Sequence, residues 1–504
     1  MGSVFPLGLV PLSIYLVSIA LGGRQNEEVI EVNNRKQLFI DYRFSAEAEG
    51  IRLSVNPPQK RGLVIKGEYP WEEGWMGAYA TVIDDEGVYK MWYRAHSLGK
   101  DGKRGRTSFC YATSQDGIHW EKPRLGLVDF NGHLDNNIVL VEGELNSVFL
   151  DPQASPEQRY KALLTIGWPD PEKGGVYIAY SADGLRWQTH PQRLLPLVPD
   201  TQNQVFYDTR LGKYVAYVRC WAPWRKMGRI EIENLLEPWP YDQSVKPYHI
   251  WGEDKVPVPS YEFHHAISYD EHDPPITDIY TPCVVQYPWA EEVYLAFPSI
   301  YYHFPEPPEG KYPNDGLLEV QLAVSREGMT FHRPERRPYI PLGLRGGPEG
   351  GSIYMLLGMI RRGDEIYQYY TAFAHSHGEY VGLKELRGIG GIYLAVQRLD
   401  GFMSVDADYQ GGWLTTPPLR FSGRHLELNI DCRATGQARV EIRDERNRPL
   451  PGYRAEECDL IRGNFIRQRV SWQGKEDLSA LQGKTIRLHF LMRNAKLFAF
   501  QFGE

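Results

Sequence analysis

A short pattern recurs along the chain and constrains its fold more than any other feature. In each copy an alternating apolar strand leads into a turn of one acidic residue and glycine, and an aromatic residue follows. Such a turn favours a β-hairpin, because glycine adopts the positive φ that the turn requires. The four copies occupy residues 111–120, 180–187, 323–331 and 395–402. The chain is therefore predicted to be built from β-hairpins.

The spacing of these turns indicates how the hairpins are arranged. Asp116 and Asp183 are 67 residues apart, and Glu327 and Asp400 are 73 residues apart. The gap between the second and third copies is 144 residues, so one copy of five is missing. Repeats of this length with several short strands each are typical of propeller blades. Chance recurrence of ordinary hairpin chemistry is the alternative, but the sequence flanking each copy repeats too. We therefore predict an all-β fold with a five-bladed β-propeller over residues 37–405.

The inner strands of the five blades are predicted to begin near residues 75, 146, 200, 278 and 349. The third blade lacks the repeated turn, and residues 230–236 occupy its place. Residues 37–44 also have the pattern of a strand. An N-terminal strand of this kind could join the first and last blades by completing the final sheet.

The two ends of the chain differ from the repeats. Five segments within residues 411–504 alternate polar and apolar residues with a period of two, which predicts a C-terminal antiparallel β-sandwich. Residues 8–22 are apolar, end in small residues and are shorter than a typical membrane span. They predict an export signal over residues 1–25, a secreted or periplasmic protein, and no stable membrane insertion after cleavage. The first four residues lack Lys and Arg, so a retained anchor or a misassigned start codon stays open.

Composition narrows the classes of partner. The net charge of −8 argues against a nucleic-acid partner, for which a basic face is expected. The 13 Trp, 32 Tyr and 19 Phe suit either blade packing or stacking on sugar rings. The five cysteines show no metal-like spacing, and Cys432 and Cys458 either pair or stay as buried free thiols. No cofactor and no metal site are expected, since the group at 262–265 lacks the spacing of a zinc helix.

Acidic residues stand at three of the five predicted strand starts, namely Asp200, Asp278 and Glu349. Inner strands of a propeller converge on the central channel, so these side chains are expected to meet in one pocket. Alternatively, each accepts only the hydrogen bonds of its own turn. Clustered carboxylates with aromatic residues are what cleavage of a glycosidic bond requires, because one acid protonates the leaving oxygen while a second attacks or activates water.

These segments resemble the five-bladed propeller glycoside hydrolases, the superfamily of glycoside hydrolase families 32 and 43. Glu349-Gly-Gly, 14 residues before Gly363-Asp-Glu-Ile-Tyr, is similar to the inner-strand acid of family 43 and the strand after it. Asp200, ahead of Val-Phe-Tyr-Asp at 205–208, is similar to the Asp-Pro-x-x-Phe segment of the superfamily. A propeller followed by a sandwich is similar to family 32. The resemblance implies a glycoside hydrolase acting on a polysaccharide or oligosaccharide.

The first blade departs from the resemblance. Trp-Met-Gly-Ala-Tyr at residues 75–79 resembles the Trp-Met-Asn-Asp-Pro stretch of family 32, yet Ala78 or Tyr79 stands where the nucleophilic Asp is expected. Either another carboxylate, such as Asp41 or Asp278, has taken that role, or the propeller is a non-catalytic carbohydrate-binding or scaffold protein.

The candidate residues follow from these arguments. Glu349 is the expected general acid, and Asp200, Asp278 and Asp41 share the remaining catalytic roles in an order that the sequence does not assign. Glu319 faces either the pocket or a blade interface, and the histidines either bind sugar hydroxyls or are structural. The expected substrate-binding residues are Glu319, His265, His377, Trp75, Tyr79 and Asn203.

Overall fold

The computed structural model describes residues 28–141, 143–167, 173–221, 224–241, 263–304 and 314–504. The predicted export signal lies outside these residues. The described chain contains 35 β-strands and no α-helix. Its helical segments are the short 3-10 turns Pro156–Gln158, Glu379–Gly382 and Ser479–Leu481. Among the described residues, no helix is long and apolar enough to cross a bilayer.

Five groups of antiparallel strands follow one another along the chain, and we call them blades 1 to 5. Blade 1 comprises Trp75–Asp85, Val88–Leu98, Arg104–Ser114 and Ile138–Leu140. Blade 2 comprises Glu144–Leu150, Tyr160–Ile166, Gly175–Ser181 and Gln188–Thr189. Blade 3 comprises Gln204–Asp208, Lys213–Trp221, Arg225–Ile232 and His264–Ile267. Blade 4 comprises Thr277–Thr281, Val284–Gln286, Tyr294–Ala296, Ser299–His303, Gly316–Val320 and Ala323–Ser325. Blade 5 comprises Ser352–Met355, Ile360–Arg362, Glu365–Phe373, Ile392–Arg398 and Gln59–Ile65.

Hydrogen bonds between neighbouring inner strands close the five blades into a ring. They run from Val148 N to Thr81 Oγ1 (3.2 Å), Val205 N to Ser147 Oγ (3.3 Å), Val284 N to Gln204 Oε1 (2.8 Å), Cys283 Sγ to Leu356 O (3.0 Å) and Leu357 N to Ala80 O (3.0 Å). Each blade thereby bonds to the next, and the fifth bonds to the first. This arrangement confirms the predicted five-bladed propeller, with inner strands that start within a few residues of the predicted positions.

The serine and glycine of the repeated turn have the same arrangement in blades 1, 2 and 4, and the acid accepts backbone hydrogen bonds in blades 1 and 2. In blade 1 the N–H of Gly117 donates to Ser114 Oγ at 2.8 Å, and Asp116 accepts from the backbone N–H of the two residues after the glycine. The glycine has a φ of 74° to 75° in all three copies, which is the left-handed region that only glycine adopts without strain. The sequence pattern is therefore a turn motif in which serine, acid and glycine each have a separate role.

The same turns also join the blades to one another. The carbonyl of each turn glycine accepts a hydrogen bond from an aromatic side chain of the preceding blade in the ring. The bonds run from Tyr369 Oη to Gly117 O (2.7 Å), Trp92 Nε1 to Gly184 O (2.6 Å) and Tyr217 Oη to Gly328 O (2.7 Å). A Cβ atom at Gly184 would lie 2.7 Å from Trp92 Cζ2, so the close approach itself requires glycine. The repeat recurs because it docks each blade on its neighbour.

An N-terminal strand does complete the final sheet, as predicted, but it is Gln59–Ile65 and not residues 37–44. Gln59–Ile65 pairs antiparallel with Ile392–Arg398 as the outer strand of blade 5. The pair Gln37–Leu38 joins the C-terminal sandwich instead.

The sandwich contains two sheets of six strands. One consists of Ile30–Asn33, Glu47–Glu49, Gly412–Thr415, Leu419–Phe421, Gln437–Asp444 and Ile486–Arg493, and the other of Gln37–Leu38, Ile51–Val55, Met403–Ala407, His425–Asp431, Asn464–Arg469 and Ala495–Gly503. The predicted C-terminal sandwich is confirmed, whereas the predicted boundaries differ from the structure. Residues 30–55 supply strands to the sandwich and not to the propeller, because their edges pair with strands far away in the sequence.

A shared core holds the propeller against the sandwich. The Asp400 carboxylate, from the fourth copy of the repeat, accepts hydrogen bonds from Tyr287 Oη (2.7 Å) and Lys36 Nζ (2.7 Å), so this turn fixes the interface with the sandwich. Phe402 packs edge-on against Tyr287 with ring centroids 5.4 Å apart. All five cysteines are buried free thiols, so Cys432 and Cys458 do not pair.

Candidate functional site

One end of the central channel gathers the starts of the inner strands and the ends of the second strands, because antiparallel pairing places both at the same edge of each blade. We call this end the mouth. It is defined by Trp75, Tyr79, Arg94, Arg104, Glu144, Asp200, Arg219, Arg225, Asp278, Tyr280, His303, His377 and Tyr380. Burial raises the pKa of the Tyr79 hydroxyl, and ionisable groups of blades 2, 3 and 4 also act on that pKa.

Asp200 precedes the inner strand of blade 3 and has a φ of 44°, which is rare for a residue other than glycine. Its side chain is 44% exposed. Loss of solvent nevertheless raises the pKa of its carboxyl; Arg219 lowers that pKa, and the negative charge of Glu144 raises it further. The Asp200 side chain therefore has water on one side and protein on the others. Burial therefore favours the protonated form of the Asp200 carboxyl.

Arg219 holds the loop that carries Asp200. Its side chain is fully buried and donates from Nη2 to the Tyr280 carbonyl at 2.6 Å and from Nη1 to the Asp200 carbonyl. The guanidinium carbon lies 4.2 Å from the centroid of the Tyr280 ring, a cation–π contact. The Asp200 carboxylate is 3.6 Å away, so Arg219 fixes the backbone of the acid more closely than its side chain.

Glu144 starts the inner strand of blade 2 and is the second carboxylate of the open mouth. Its Oε1 lies 2.8 Å from Arg94 Nη2, and its side chain is 32% exposed. The Arg94 guanidinium also lies 5.4 Å from the Tyr79 ring centroid. The mouth thus contains one acid that burial drives toward protonation and one carboxylate that an arginine holds.

Asp278 lies beneath the mouth in a buried network. It accepts hydrogen bonds from Arg225 N (3.0 Å), Arg225 Nη1 (2.5 Å) and His303 Nε2 (2.7 Å). Burial alone would raise its pKa, but the His303 hydrogen bond and the Arg225 charge outweigh burial and hold the pKa below its ordinary value. Asp278 therefore stays ionised and fixes Arg225, and it has no exposed face for a substrate.

His377 lies between the Tyr280 and Tyr301 rings, with centroids 4.8 Å from each. Its Nδ1 is 2.8 Å from the hydroxyl of Tyr354. Burial and the nearby arginines lower its pKa to about 3, so the imidazole is neutral at physiological pH. It is available as a neutral hydrogen-bonding group on the wall of the mouth.

Trp75 forms an aromatic wall with two residues of blade 5. Its ring lies 4.7 Å from Phe373 and 4.7 Å from Tyr380, the latter edge-on. Arg104, from the third strand of blade 1, places its guanidinium 4.8 Å from the Trp75 centroid and 5.6 Å from the Tyr380 centroid. The wall joins the first and last blades at the mouth.

Asn203 occupies the centre of the ring and serves the backbone. Its Nδ2 donates to the carbonyl of Thr201 at 2.8 Å, and its Oδ1 accepts from the N–H of Arg219 at 2.9 Å. It orders the segment between Asp200 and the inner strand. Its polar atoms therefore have protein partners.

Two predicted catalytic carboxylates lie apart from this cluster. Glu349 bonds to Lys60 Nζ at 2.7 Å and to Tyr370 Oη at 2.9 Å, so it supports the strand that completes blade 5. Asp41 accepts two hydrogen bonds from Arg326, at 2.9 and 2.8 Å, next to the sandwich strands. Neither makes a hydrogen bond or ion pair with a residue of the mouth in the described chain. The structure brings together Asp200 and Asp278, but not Glu349 or Asp41.

Two predicted binding residues also lie elsewhere. Glu319 lies in the third main strand of blade 4 beside Tyr302, where burial raises its pKa to about 7. His265 lies in the outer strand of blade 3, paired with Gly228. Trp75, Tyr79 and His377 do stand at the mouth, as predicted.

Sequence reasoning missed most of the charged residues of the mouth. Glu144 was missed because the inner strand of blade 2 begins two residues before its predicted start. Arg94 and Arg219 follow tyrosine-rich stretches in second strands, a signal that could have identified them, whereas His303 shows none. Among the described residues, no group of three or more His, Cys, Asp or Glu side chains is arranged to hold a metal ion.

The sequence matches no family profile. It is similar to a fructan β-fructosidase of Streptococcus mutans, with 28% identity over 195 residues, which is 38% of this chain and 13% of that protein. The chain thus spans little more than a tenth of the curated relative it matches. This similarity agrees with the resemblance to the propeller glycoside hydrolases.

Several solved structures have a distant likeness. A glycoside hydrolase matches with a TM-score of 0.44 and 14% identity over 68% of this chain and 92% of that one. A glycosyl hydrolase from Bacteroides ovatus matches with a TM-score of 0.41 and 14% identity over 73% of this chain and 97% of that one. An N-acetylgalactosamine deacetylase from F. plautii matches with a TM-score of 0.44 and 14% identity over 69% of this chain and 96% of that one. The assignment of the fold rests on the strand pairing described above and not on these likenesses.

Proposed function

We propose that the protein is a glycoside hydrolase that cleaves a glycosidic bond of a polysaccharide or oligosaccharide at the mouth. Asp200 is the general acid, and Glu144 is the second carboxylate. The observation that carries the proposal is this pair of open carboxylates, one with a raised pKa and one paired with arginine. Cleavage of a glycosidic bond uses two carboxyl groups that flank the bond.

The acid has to be protonated before the bond breaks. Burial and the charge of Glu144 both favour the protonated form of Asp200, which can then donate its proton to the leaving oxygen. Arg219 keeps the backbone of Asp200 in its strained conformation, so the acid is positioned before the substrate arrives.

Glu144 forms an ion pair with Arg94 and completes the pair of carboxylates. In a retaining reaction such a carboxylate attacks the anomeric carbon, and in an inverting reaction it activates a water molecule. The anomer of the released sugar, read by proton NMR in the first minutes of the reaction, distinguishes these two roles. Tyr380, the half-buried ring of the Trp75 wall, offers an aromatic surface that a sugar ring can contact.

The test is a hydrolysis screen of aryl furanosides, aryl pyranosides and natural glycans. Asp200→Asn and Glu144→Gln are each expected to lower kcat/KM by at least about a hundredfold, the range of one acid–base group. Glu349→Gln and Asp41→Asn are matched controls, since both are ion-paired carboxylates outside the mouth. Loss of activity in Glu349→Gln with activity retained in Asp200→Asn would refute the assignment.

One observation favours a non-catalytic carbohydrate-binding propeller as a second candidate. Blades 1 to 3 carry uncharged, buried residues in or next to their inner strands, namely Tyr79, Asn146 and Asn203. Binding of glycans without turnover across the whole screen, unchanged in Asp200→Asn, would support that candidate over the enzyme.

We also propose that the protein is exported, on the strength of the apolar segment at residues 8–22. The five thiols are buried, which would protect them from oxidation outside the cell. Sequencing the N-terminus of the protein from its native host tests this, and a mature chain that starts at residue 1 would contradict it.

A further inference from the structure

Among the charged residues of the mouth, Arg104 has the fewest hydrogen-bond and ion-pair partners. Its guanidinium makes no hydrogen bond and no ion pair with any residue that the structure describes. Its aromatic neighbours, Trp75 and Tyr380, hold it in place by cation–π contacts. Arg104 is an exposed residue, but the protein around its guanidinium and the charge of Arg94 both lower the pKa of that group. An arginine held in place without an anion is ready to receive one.

The charge of the mouth points in the same direction. The cationic side chains are Arg94, Arg104, Arg219 and Arg225, and the acidic ones are Glu144, Asp200 and Asp278. When Asp200 holds a proton, the mouth has two more positive than negative groups, in a protein whose net charge is −8. Arg94 pairs with Glu144 and Arg225 pairs with Asp278, so the two excess charges are those of Arg104 and Arg219. This local field attracts anions.

A guanidinium suits a particular kind of ligand. Its planar donors match the two oxygens of a carboxylate or a sulfate in a bidentate bond, which is stronger than a bond to a neutral hydroxyl. Neutral sugars are bound well by amides and hydroxyls, so they give no reason to keep an unpaired cation beside two aromatic rings.

We propose that the mouth recognises an acidic sugar, whose carboxylate or sulfate group binds Arg104 while the ring stacks against the Trp75 wall. This inference rests on the proposed function, because it names the substrate class of the same site. Arg104 lies against Trp75 at the same end of the channel as the Arg94–Glu144 pair and Asp200, so the anionic group would bind at the mouth that holds the acid. The acidic sugar therefore occupies the cleaved unit or the unit beside it.

The experiment is an array of acidic glycans, each printed beside its neutralised form. Uronic oligosaccharides are paired with their methyl esters, and sulfated oligosaccharides with their desulfated forms. Binding is measured with the Asp200→Asn variant, so that cleavage does not remove the ligand. The charged member of a pair is expected to bind about tenfold to a hundredfold more tightly, as for a charge-assisted hydrogen bond. Preference for uronic or for sulfated pairs identifies the source of the anion.

Arg104→Gln is expected to abolish the preference, and Arg104→Lys to retain part of it, because lysine keeps the charge without the planar fork. Arg106→Gln is the matched control, since Arg106 lies in the same strand, is exposed and already donates to the Asp129 carbonyl. Equal binding of neutralised forms, no binding of any charged glycan, or an intact preference in Arg104→Gln would overturn the inference. Cleavage of neutral glycans only would overturn the acidic-sugar inference and leave the glycoside hydrolase proposal standing. Charge-dependent binding without cleavage of any glycan would overturn the glycoside hydrolase proposal and leave the acidic-sugar inference standing.

Discussion

Asp278→Asn removes the carboxylate that Arg225 and His303 share beneath the mouth. Asparagine keeps the shape and one acceptor oxygen, but its amide nitrogen must then face one of the donors that the carboxylate accepts. The side chain at this position is 1% exposed, so no solvent compensates for the lost charge. The substitution leaves the Arg225 guanidinium buried without its counter-ion.

The expected loss in the free energy of unfolding is about 3–5 kcal/mol, the range for breaking a buried ion pair from one side. Asp41→Asn is the matched control, because Asp41 also forms a two-bond pair with an arginine but is 38% exposed. A pair that open contributes about 0–1 kcal/mol. Equilibrium unfolding in urea measures both differences at neutral pH.

The pH dependence gives a second measurement. The folded pKa of Asp278 lies below its ordinary value of 3.8, so its contribution is complete above that pH and is lost as the pH falls through the folded pKa. The difference between wild type and Asp278→Asn should therefore be constant above about pH 4 and shrink below it. A loss in Asp278→Asn no larger than that in Asp41→Asn would refute the reasoning, as would a difference that grows in acid.

Three further predictions concern the turns and the acid. Tyr217→Phe removes the donor to the Gly328 carbonyl, and we expect a loss of about 1–3 kcal/mol in urea unfolding; no loss would contradict the docking role of that bond. Gly184→Ala should cost more than Gly87→Ala, since both have positive φ but only the first places a Cβ against Trp92; thermal unfolding of the two variants compares them, and equal losses would contradict the overlap. Glu144→Gln should lower the pKa of Asp200, because the charge of Glu144 raises it; carbon NMR of labelled aspartate follows the titration, and an unchanged pKa would place the two carboxyls too far apart to interact.

The fold could be predicted because its signal is local and repeated. The serine, acid and glycine of the turns in blades 1, 2 and 4 lie within four residues, so a single copy can be recognised in the sequence. The spacing of the copies then gives the number of blades. The boundary of the sandwich could not be predicted, since residues 30–55 join it by pairing with strands far along the chain. Local patterns identify a strand, but they do not identify its distant partner.

The same limit explains the outcome for the carboxylates. Glu349 has the local pattern expected of an inner-strand acid, yet its partner is Lys60, which is 289 residues away and on the strand that closes the ring. Asp200 has an equally weak local pattern but lies where blades 2, 3 and 4 converge. Which of two acids faces the channel is decided by long-range pairing, so the sequence offered both and could not rank them.

This geometry gives a physical explanation for the absence of an acid at residues 78–79 of blade 1. Where an inner-strand nucleophile was expected, Tyr79 lies under Arg94, and Arg94 holds Glu144 from the neighbouring blade. In the proposed reaction the carboxylate is thus supplied by the start of the next inner strand and not by the motif position in blade 1. It still lies at the mouth, because the ring brings both positions to the same end of the channel. A chain can lose an acid at a motif position and keep the chemistry when an adjacent blade supplies the carboxylate. The double variant Tyr79→Asp with Glu144→Gln tests this directly: activity above that of Glu144→Gln alone is expected if the two positions are interchangeable, and no recovery in a folded variant would show that they are not.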